Sequence, residues 1–323
     1  MSSRRHDVGD LVRHARQGQA RAVARLISLV EDGAAELPEV AAALARDTGR
    51  AQIVGITGAP GVGKSTSVSL LITALRAAGK KVGVLAVDPS SPFSGGALLG
   101  DRVRMQDHAL DHGVFIRSMA TRGHLGGVAW ATPQALRVLD AAGCDVVLVE
   151  TVGVGQSEVE VVALADTTVV LLAPGMGDGI QAAKAGILEV ADVFVVNKAD
   201  RDGTDQTVRD LKHMISLGRR GTVGPSWRPP IVRTVATVAD GIEDLVGAIE
   251  QHRAWMLSHG ELDARRQRRA EAEIEAIALA QLRGRLGDVL QGSALPGLAK
   301  RVVVGELDVY RAADELIAVL GGS

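Results

Sequence analysis

The first fifty residues carry a helical pattern of apolar positions. Between residues 8 and 30, valine, leucine, isoleucine and alanine recur at steps of three and four. This spacing places side chains on one face of an α-helix. The segment DTGR at 47–50 then interrupts the pattern. The spacing predicts two or three short helices over residues 8–48.

A different pattern begins at residue 51, where short apolar runs alternate with helical segments. Uninterrupted apolar runs are typical of parallel strands buried on both faces. The stretches between the runs are long enough for crossover helices. The pattern therefore indicates an α/β fold with a doubly wound, mostly parallel sheet. Seven strands are predicted, at 51–57, 80–88, 113–119, 144–151, 167–174, 192–200 and 229–237.

The chain becomes strongly helical after residue 241, and a further helix is predicted at 308–320. Within this part, the charged run ARRQRRAEAEIE at 264–275 is predicted to be a solvated helix face, in which Arg and Glu support one another four residues apart, rather than a nucleic-acid surface. We predict three parts: an N-terminal helical extension at 1–48, an α/β domain at 49–258 and a C-terminal helical arm at 259–323.

Composition narrows the class of protein. The 323 residues are 46% hydrophobic with a net charge of −2, which gives no reason to expect nucleic acid or an anionic membrane as a partner. Because Cys144 is the single cysteine, an internal disulfide is excluded and a cysteine-based zinc site is not expected. The N-terminal residues are charged throughout, and no run reaches the roughly 18 apolar residues that a membrane span needs. We expect a cytoplasmic protein.

A glycine-rich segment, GAPGVGKST, follows the first predicted strand and opens a helix. It matches G-x-x-x-x-G-K-S, in which backbone N–H groups converge on phosphate oxygens. Lys64 is expected to reach the β- and γ-phosphates, and the Ser65 hydroxyl to bind Mg²⁺. The alternative is a glycine-rich turn that matches by chance, but the flanking strand and helix are the context that the motif requires. The predicted phosphate-binding residues are Gly58, Ala59, Pro60, Gly61, Val62, Gly63, Lys64, Ser65 and Thr66.

The segment NKAD, with Asn197, Lys198 and Asp200, directly follows the predicted strand VFVVN. It resembles the N-K-x-D motif with which G proteins recognise guanine. A carboxylate accepts hydrogen bonds from N1 and the 2-amino group of guanine, whereas adenine lacks both donors in that arrangement. An unpaired Asp200 would therefore disfavour ATP by roughly 1–3 kcal/mol. A second base contact is predicted at Ala236 and Thr237, where G proteins carry a Ser-Ala turn.

The strand VVLVE ends at Glu150, where most G proteins carry the aspartate of a D-x-x-G motif. Glu150 is one methylene longer and is expected to reach the same metal shell. The N–H of Gly153 is expected to sense the γ-phosphate, and the glycines give the segment freedom to rearrange as a switch. Gln156 is a candidate for positioning the hydrolytic water; an ordinary polar loop residue is the alternative.

Two further carboxylates are candidates for Mg²⁺, which takes one or two protein oxygens and keeps several waters. Asp88 ends the second predicted strand, whose carboxyl end faces the ligand crevice of an open α/β sheet. Asp101 begins a predicted helix over 101–113 and has the alternative role of helix cap. His108 and His112 are four residues apart on that helix, and we expect a surface pair rather than a metal site. Cys144 is expected to be a small core residue.

The segments GAPGVGKST, VDPSSPFSGGALLGDRVRM, ETVGVGQSEVEV and NKAD together resemble one family, the methylmalonyl-CoA mutase-associated GTPases. This family is called MeaB in bacteria and has also been described as ArgK kinase or a lysine/arginine/ornithine transport ATPase. The resemblance covers essentially the whole chain, and Glu150 in place of the usual aspartate belongs to the family's pattern.

The resemblance implies a homodimeric, signal-recognition-particle-type G protein that binds GTP and GDP with Mg²⁺. It implies a partner, the adenosylcobalamin-dependent mutase, to which the G protein gates cofactor delivery and which it protects from inactivation. It further implies that Asp88, Asp101 and Glu150 complete the metal shell begun by Ser65, and that the C-terminal arm forms the dimer contact.

Three alternatives remain open at this point. An ATP-dependent small-molecule kinase or transport ATPase would need an adenine site, which Asp200 opposes. A metal-insertion GTPase for urease or hydrogenase would need Cys or His ligands that this chain lacks. A binding module without turnover is the third, since hydrolysis by such switches is slow until a partner completes the site. We expect a low basal GTPase rate.

Overall fold

The structure is a computed structural model that describes residues 7–89, 106–108, 110–121, 127–151, 163–175, 190–218, 226–291 and 294–321. The chain forms two compact units, Met1–Arg269 and Ala270–Ser323. Of the helices in these ranges, none has the length and apolar character that a membrane crossing requires.

Three short helices open the first unit, as the apolar spacing predicts. They are α1 (Val8–Arg16), α2 (Ala20–Glu31) and α3 (Leu37–Leu44). The side chain of Asp7 caps α1 by accepting from the N–H of Asp10 at 3.1 Å, which satisfies one of the unpaired donors of the first turn. The apolar faces of the three helices are buried in one core with residues of the sheet and of a later helix.

The centre of the first unit is a seven-stranded sheet in the order β3-β2-β4-β1-β5-β6-β7. Every strand pairing in it is parallel. Strands β4, β5 and β6 are buried along their whole length, which explains their uninterrupted apolar sequences. All seven predicted strands are confirmed. Their bounds are Gln52–Gly58 (β1), Val82–Pro89 (β2), Val114–Thr121 (β3), Val146–Thr151 (β4), Thr167–Leu172 (β5), Val193–Asn197 (β6) and Ile231–Thr234 (β7).

Helices cover both faces of this sheet, so the doubly wound α/β fold is confirmed. One face packs with α1, α2, α3 and α5; the other packs with α4 and α7. Helix α6 lies on a third apolar cluster at the β5 and β6 end. The bounds of these helices are Lys64–Ala77 (α4), Gly127–Ala141 (α5), Thr204–Gly218 (α6) and Ile242–His259 (α7).

The C-terminal residues are helical, as predicted. Helix α8 (Glu261–Gln291) is followed by α9 (Ala294–Val303) and α10 (Val309–Gly321). In the second unit, Arg301 of α9 donates to Glu315 of α10 at 2.6 Å. Several large apolar side chains of this unit are exposed, namely Ile274, Leu279, Leu282, Leu295, Val303, Val304, Val309, Tyr310 and Ile317.

The helix predicted over 101–113 is wrong for the part that the structure describes. Gln106–His108 form a 3₁₀ turn, and residues 110–113 form no α-helix. Arg76 of α4 donates to both carboxylate oxygens of Asp111, at 2.8 and 2.9 Å, and His108 contacts the Ser69 hydroxyl at 3.2 Å. These tertiary contacts outweigh the local helical preference. His108 and His112 therefore do not share a helix face.

The charged run at 264–275 is only in part the solvated helix face that we predicted, because Arg268 and Glu271 are exposed whereas other arginines of the run are half-buried. Two of its arginines bind the buried Asp166, which directly precedes β5 and is 0% exposed. Arg266 Nη2 donates to its Oδ2 at 2.8 Å, and Arg269 Nη2 donates to its Oδ1 at 3.1 Å. The N–H of Ile53 also donates to Oδ2, at 3.0 Å. The first turns of α8 thus close the amino-terminal edge of the sheet.

A second buried aspartate, Asp192 before β6, continues this cluster. Arg265 donates to its carboxylate with Nη1 at 2.7 Å and Nη2 at 2.9 Å. His252 of α7 places Nε2 3.3 Å from the same carboxylate, and its Nδ1 lies 3.0 Å from the Thr167 hydroxyl. Complete burial lowers the pKa of His252 to about 4. His252 is therefore neutral at pH 7, and the arginine supplies the charge that compensates Asp192.

Candidate functional site

The phosphate-loop sequence forms a tight connection between β1, which ends at Gly58, and α4, which begins at Lys64. Gly63 has a φ of 97°, and a Cβ at this position would collide with Nδ2 of Asn197. A Cβ on Gly58 would likewise collide with the carbonyl oxygen of Leu171 in β5. Glycine is required at both positions because the backbone passes too close to its neighbours for a side chain.

Lys64 is the first residue of α4 and is 8% exposed. Its ammonium donates to the carbonyl oxygens of Gly58 at 2.5 Å and Ala59 at 3.2 Å. The side chain therefore folds back across the loop whose N–H groups and helix N-terminus form a natural anion site. This geometry agrees with the role of a phosphate-binding lysine.

Ser65 and Glu150 meet at the carboxyl-terminal edge of the sheet. The Ser65 hydroxyl donates to Glu150 Oε1 at 2.7 Å, and both residues are buried. Behind them, the hydroxyls of Thr57 and Thr151 lie 3.4 Å apart on the adjacent strands β1 and β4. This is a concentration of oxygen ligands beside the phosphate loop, and hard cations such as Mg²⁺ prefer oxygen ligands. The longer glutamate thus reaches the serine that the phosphate-loop motif provides.

Asn197 connects three segments at the end of β6. Its Nδ2 donates to the carbonyl oxygen of Val62 in the phosphate loop at 2.7 Å. Its Oδ1 accepts from the Thr234 hydroxyl at 3.0 Å and from the N–H of Ala236 at 3.1 Å. Asn197 is 1% exposed. Its amide therefore holds the phosphate loop against the segment that follows β7.

Lys198 and Asp200 occupy the turn after β6. Lys198 has a φ of 58°, and its ammonium donates to the carbonyl oxygen of Gly61 at 2.6 Å. Asp200 is exposed two residues later. The N–H of Ala199 donates to the Thr234 carbonyl at 3.0 Å, which fixes the turn beside β7. The lysine side chain thus reaches the phosphate loop, and Asp200 lies exposed on the same turn.

Ala236 and Thr237 lie in a 3₁₀ turn, Ala236–Val238, directly after β7. A bridge between Val235 and Asp240 closes this turn. Ala236 is buried against Asn197, whereas Thr237 is exposed. The predicted second base-contact segment is therefore brought next to the NKAD turn, as a two-sided base site requires.

The remaining predicted residues are placed only in part. The backbone of Asp88 lies in β2, paired in register with Ala120. Asp101, Gly153 and Gln156 lie outside the described residues. Within the described ranges, no group of three or more His, Cys, Asp or Glu side chains is arranged to hold a metal ion. Cys144 is a buried core residue, as predicted, and burial raises the pKa of its thiol to about 12.

Sequence reasoning missed the threonines of the site. Thr57 and Thr234 are 0% and 1% exposed; the Thr57 hydroxyl lies 3.4 Å from that of Thr151, the residue after Glu150, and Thr234 fixes the Asn197 amide. Threonine is a β-branched residue that is common in strands, so its presence in a strand does not by itself indicate a functional site. The only available signal is its position in the last residues of a strand whose carboxyl end faces the crevice.

The fold and these contacts define a phosphate-loop nucleotide-binding protein, and comparison with known proteins gives its family. The family model of the methylmalonyl-CoA mutase-associated GTPase MeaB matches residues 23–288. A Pyrococcus abyssi protein that is named as a GTPase is 47% identical over 98% of both chains, and the protein named GTPase ArgK of Escherichia coli is 37% identical over 81% of both. The chain belongs to this MeaB family; it is a GTPase and binds guanine nucleotide.

Two further similarities bear on what the family does. The mouse protein named methylmalonic aciduria type A homolog, mitochondrial, is 42% identical over 66% of this chain and 52% of its own length. A solved structure described as a LAO/AO transport system kinase is 26% identical, with a TM-score of 0.69 over 99% of this chain and 100% of that one.

Proposed function

We propose that this GTPase is a chaperone of an adenosylcobalamin-dependent methylmalonyl-CoA mutase, which gates cofactor loading and protects the loaded enzyme. The observation that carries the proposal is the family assignment over residues 23–288, because the family is described as mutase-associated. The name of the mouse relative, a methylmalonic aciduria homolog, points to the same metabolism. We place the protein in the cytoplasm with its client.

The contacts of Lys64 with the phosphate loop support the first of the residue roles that we propose. When a nucleotide binds, the Lys64 ammonium exchanges the carbonyl oxygens of Gly58 and Ala59 for phosphate oxygens. N–H groups of residues 58–66 surround the phosphates. Gly153 senses the γ-phosphate and Gln156 orients the attacking water. The loop thereby responds to the presence of the third phosphate.

The oxygen pair of Ser65 and Glu150 fits a magnesium ion. The Ser65 hydroxyl would bind the ion directly, with Glu150, Asp88 and Asp101 completing its shell directly or through water. A bound Mg²⁺ neutralises charge on the phosphates. The 2.7 Å hydrogen bond between Ser65 and Glu150 holds the hydroxyl in place beside Lys64, so the protein presents the ligand without rearranging the helix.

The base is selected at the turn after β6. Asp200 accepts from N1 and the 2-amino group of guanine, with Lys198 along one side of the base and Ala236 and Thr237 along the other. Asn197 acts as a positioning residue, because its amide groups contact the protein and hold these segments together.

Substitution of the base-reading carboxylate tests this assignment. Asp200→Asn replaces one acceptor with an N–H donor, so the variant should prefer a base with a carbonyl in place of the 2-amino group. We expect the affinity for GTP to fall by about tenfold to a hundredfold and the affinity for xanthosine triphosphate to rise. The exposed neighbour Asp202 provides the control, and Asp202→Asn should bind both nucleotides as the wild type does. An unchanged preference in Asp200→Asn would contradict the assignment.

The chaperone role is tested by adding the client. Single-turnover GTP hydrolysis by the chain alone should be slow and should rise when a cognate methylmalonyl-CoA mutase is added. Lys64→Ala should abolish this stimulation because it removes phosphate binding. A mutase that binds without changing the hydrolysis rate, or that retains full activity over repeated turnover without the GTPase, would count against the role.

The alternative is an ATP-dependent small-molecule kinase or transport ATPase, which the description of the solved relative as a transport system kinase suggests. Competition of ATP and GTP for the same site separates the two functions. Equal affinity for ATP, together with phosphate transfer to a small-molecule acceptor, would support the kinase and overturn the chaperone.

We further propose that residues 259–323 form the dimerisation arm of a homodimer, beside a GTPase domain at 49–258 and a helical extension at 1–48. The exposed apolar side chains of the second unit support this role, because exposed apolar surface of this extent is typical of an interface. Sedimentation of the full chain, compared with a variant in which Ile274 and Tyr310 are replaced by Ser, tests the proposal.

A further inference from the structure

A cavity of about 310 Å³ lies away from the nucleotide site, between the sheet and helices α4 and α7. Its walls are apolar side chains from β1, β4 and both helices, among them Val54, Leu71, Leu148 and Ile249. The cavity opens toward the amino-terminal ends of β1 and β4, whereas Lys64 and Ser65 stand at the opposite ends of the strands. Its volume falls at the lower end of the range for small-ligand pockets.

The cavity wall contains a buried hydrogen-bond donor, the side-chain amide of Gln52. Gln52, the first residue of β1, is 4% exposed and lines the cavity. Among the residues that the structure describes, no acceptor bonds its Nε2. A buried amide N–H without a partner costs free energy, and an acceptor on a ligand in the cavity would relieve that cost. The orphaned donor and the apolar walls are independent signs of an occupant.

The rim of the cavity adds two cations. Lys80 and Arg253 are half-buried in the lining, and within the described part of the chain neither forms an ion pair. The acidic residues of the rim are more exposed, and Asp145 already accepts from the N–H of Lys81 at 2.7 Å. The exposed apolar side chain of Leu257 completes the opening. An anion at the rim would therefore find donors from both cations.

We propose that this cavity binds a small acid with an apolar body and one carboxylate. The apolar part packs between Leu71, Ile249 and the sheet, and the carboxylate lies at the rim with Lys80 and Arg253, within reach of the Gln52 donor. The volume holds about ten water-sized groups, which matches the ten non-hydrogen atoms of octanoate. Binding in the cavity does not depend on the nucleotide site, so a variant that no longer binds GTP should still bind the acid.

Titration of the full chain with sodium octanoate, followed by calorimetry, tests the site. We expect saturable binding with a dissociation constant on the order of 0.1–1 mM. Arg253→Gln and Lys80→Gln should each weaken binding at least about fivefold, and 1-octanol should bind less tightly than octanoate. If octanoate shows no saturable binding up to its solubility limit, the proposal is overturned. If 1-octanol binds as tightly as octanoate, the claim that the site recognises a carboxylate is overturned.

Two further variants locate the binding within the fold. Val246→Phe fills the cavity from α7 and should abolish octanoate binding while GTP binding persists, which shows that the variant is folded. Arg209→Gln, an exposed arginine of α6 away from the lining, is the matched control and should bind octanoate as the wild type does. Octanoate binding that survives Val246→Phe, or that is weakened equally by Arg209→Gln, would place the ligand elsewhere and refute the cavity site.

Discussion

The arginine–aspartate cluster at the amino-terminal edge of the sheet makes a quantitative prediction about stability. Arg266→Met keeps the length of the side chain but removes its donors to Asp166 at 2.8 Å and to the carbonyl oxygen of Ala51 at 2.9 Å. Removal of one partner from a buried ion pair typically costs about 3–5 kcal/mol. Asp166 retains Arg269 and the N–H of Ile53, so we expect a loss of about 2–3 kcal/mol in the free energy of unfolding.

The same helix supplies a matched control. Arg268 is exposed and pairs only with the partly exposed Glu261 among the residues described. Arg268→Met therefore makes the same chemical change outside the buried cluster. Exposed ion pairs contribute about 0–1 kcal/mol, so this variant should unfold almost as the wild type does.

Urea unfolding followed by tryptophan fluorescence measures both variants. Trp227 donates to the backbone carbonyl of Asp192 at 2.7 Å and lies 5.8 Å from Trp255, so the emission reports on the cluster itself. Arg266→Met should shift the midpoint to lower urea without changing the slope. Equal midpoints for Arg266→Met and Arg268→Met would refute the conclusion that burial of Asp166 gives the pair its importance.

Two further predictions concern a glycine and a histidine. Gly63→Ala should weaken GTP binding at least about tenfold and cost roughly 1–3 kcal/mol of stability, because its Cβ collides with Asn197. Gly79→Ala is the control: its φ of 75° brings a similar backbone strain, but its Cβ would meet nothing within 4 Å and it lies outside the phosphate loop. It should leave GTP binding close to that of the wild type, and comparable losses of GTP binding in the two variants would contradict the role of the collision. The unfolded chain protonates His252 near pH 6.5 but the folded chain only near 4, so the stability of the fold should fall as pH drops through this window, by about 3 kcal/mol. The midpoint of urea unfolding, measured against pH, should decline less steeply in His252→Phe. The decline should be unchanged in His112→Gln, which replaces an exposed histidine; an equal decline in all three proteins would contradict the assignment.

The order of the elements was predictable because strands that are buried on both faces have uninterrupted apolar sequences. The strand VVLVET is buried at all six positions, so its apolar run and its place before Glu150 follow from the parallel sheet. The phosphate loop was equally predictable, because its glycines, Lys64 and Ser65 form one contiguous motif between a strand and a helix. In both cases the signal lies within one continuous segment, although the contacts that require Gly58 and Gly63 come from Leu171 and Asn197, far along the chain.

What could not be predicted depends on partners far apart in the chain. Asp166 and Arg266 are separated by 100 positions, and an aspartate before a strand looks like any turn residue. The prediction of a helix around residues 106–108 was wrong for the same reason, because contacts with Arg76 and Ser69 of another helix determine the conformation of this segment. Long-range polar contacts carry no periodic signal along the chain.

The arginine–aspartate cluster, with Arg265, Arg266 and Arg269, determines where the chain can be truncated. A fragment that ends with α7 would lack the arginines that pair with Asp166 and Asp192. Without these partners, the amino-terminal edge of the sheet should be less stable. A recombinant nucleotide-binding fragment should therefore end after Arg269, where the compact first unit ends. The opening turns of α8 are chemically the last segment of the domain that they close.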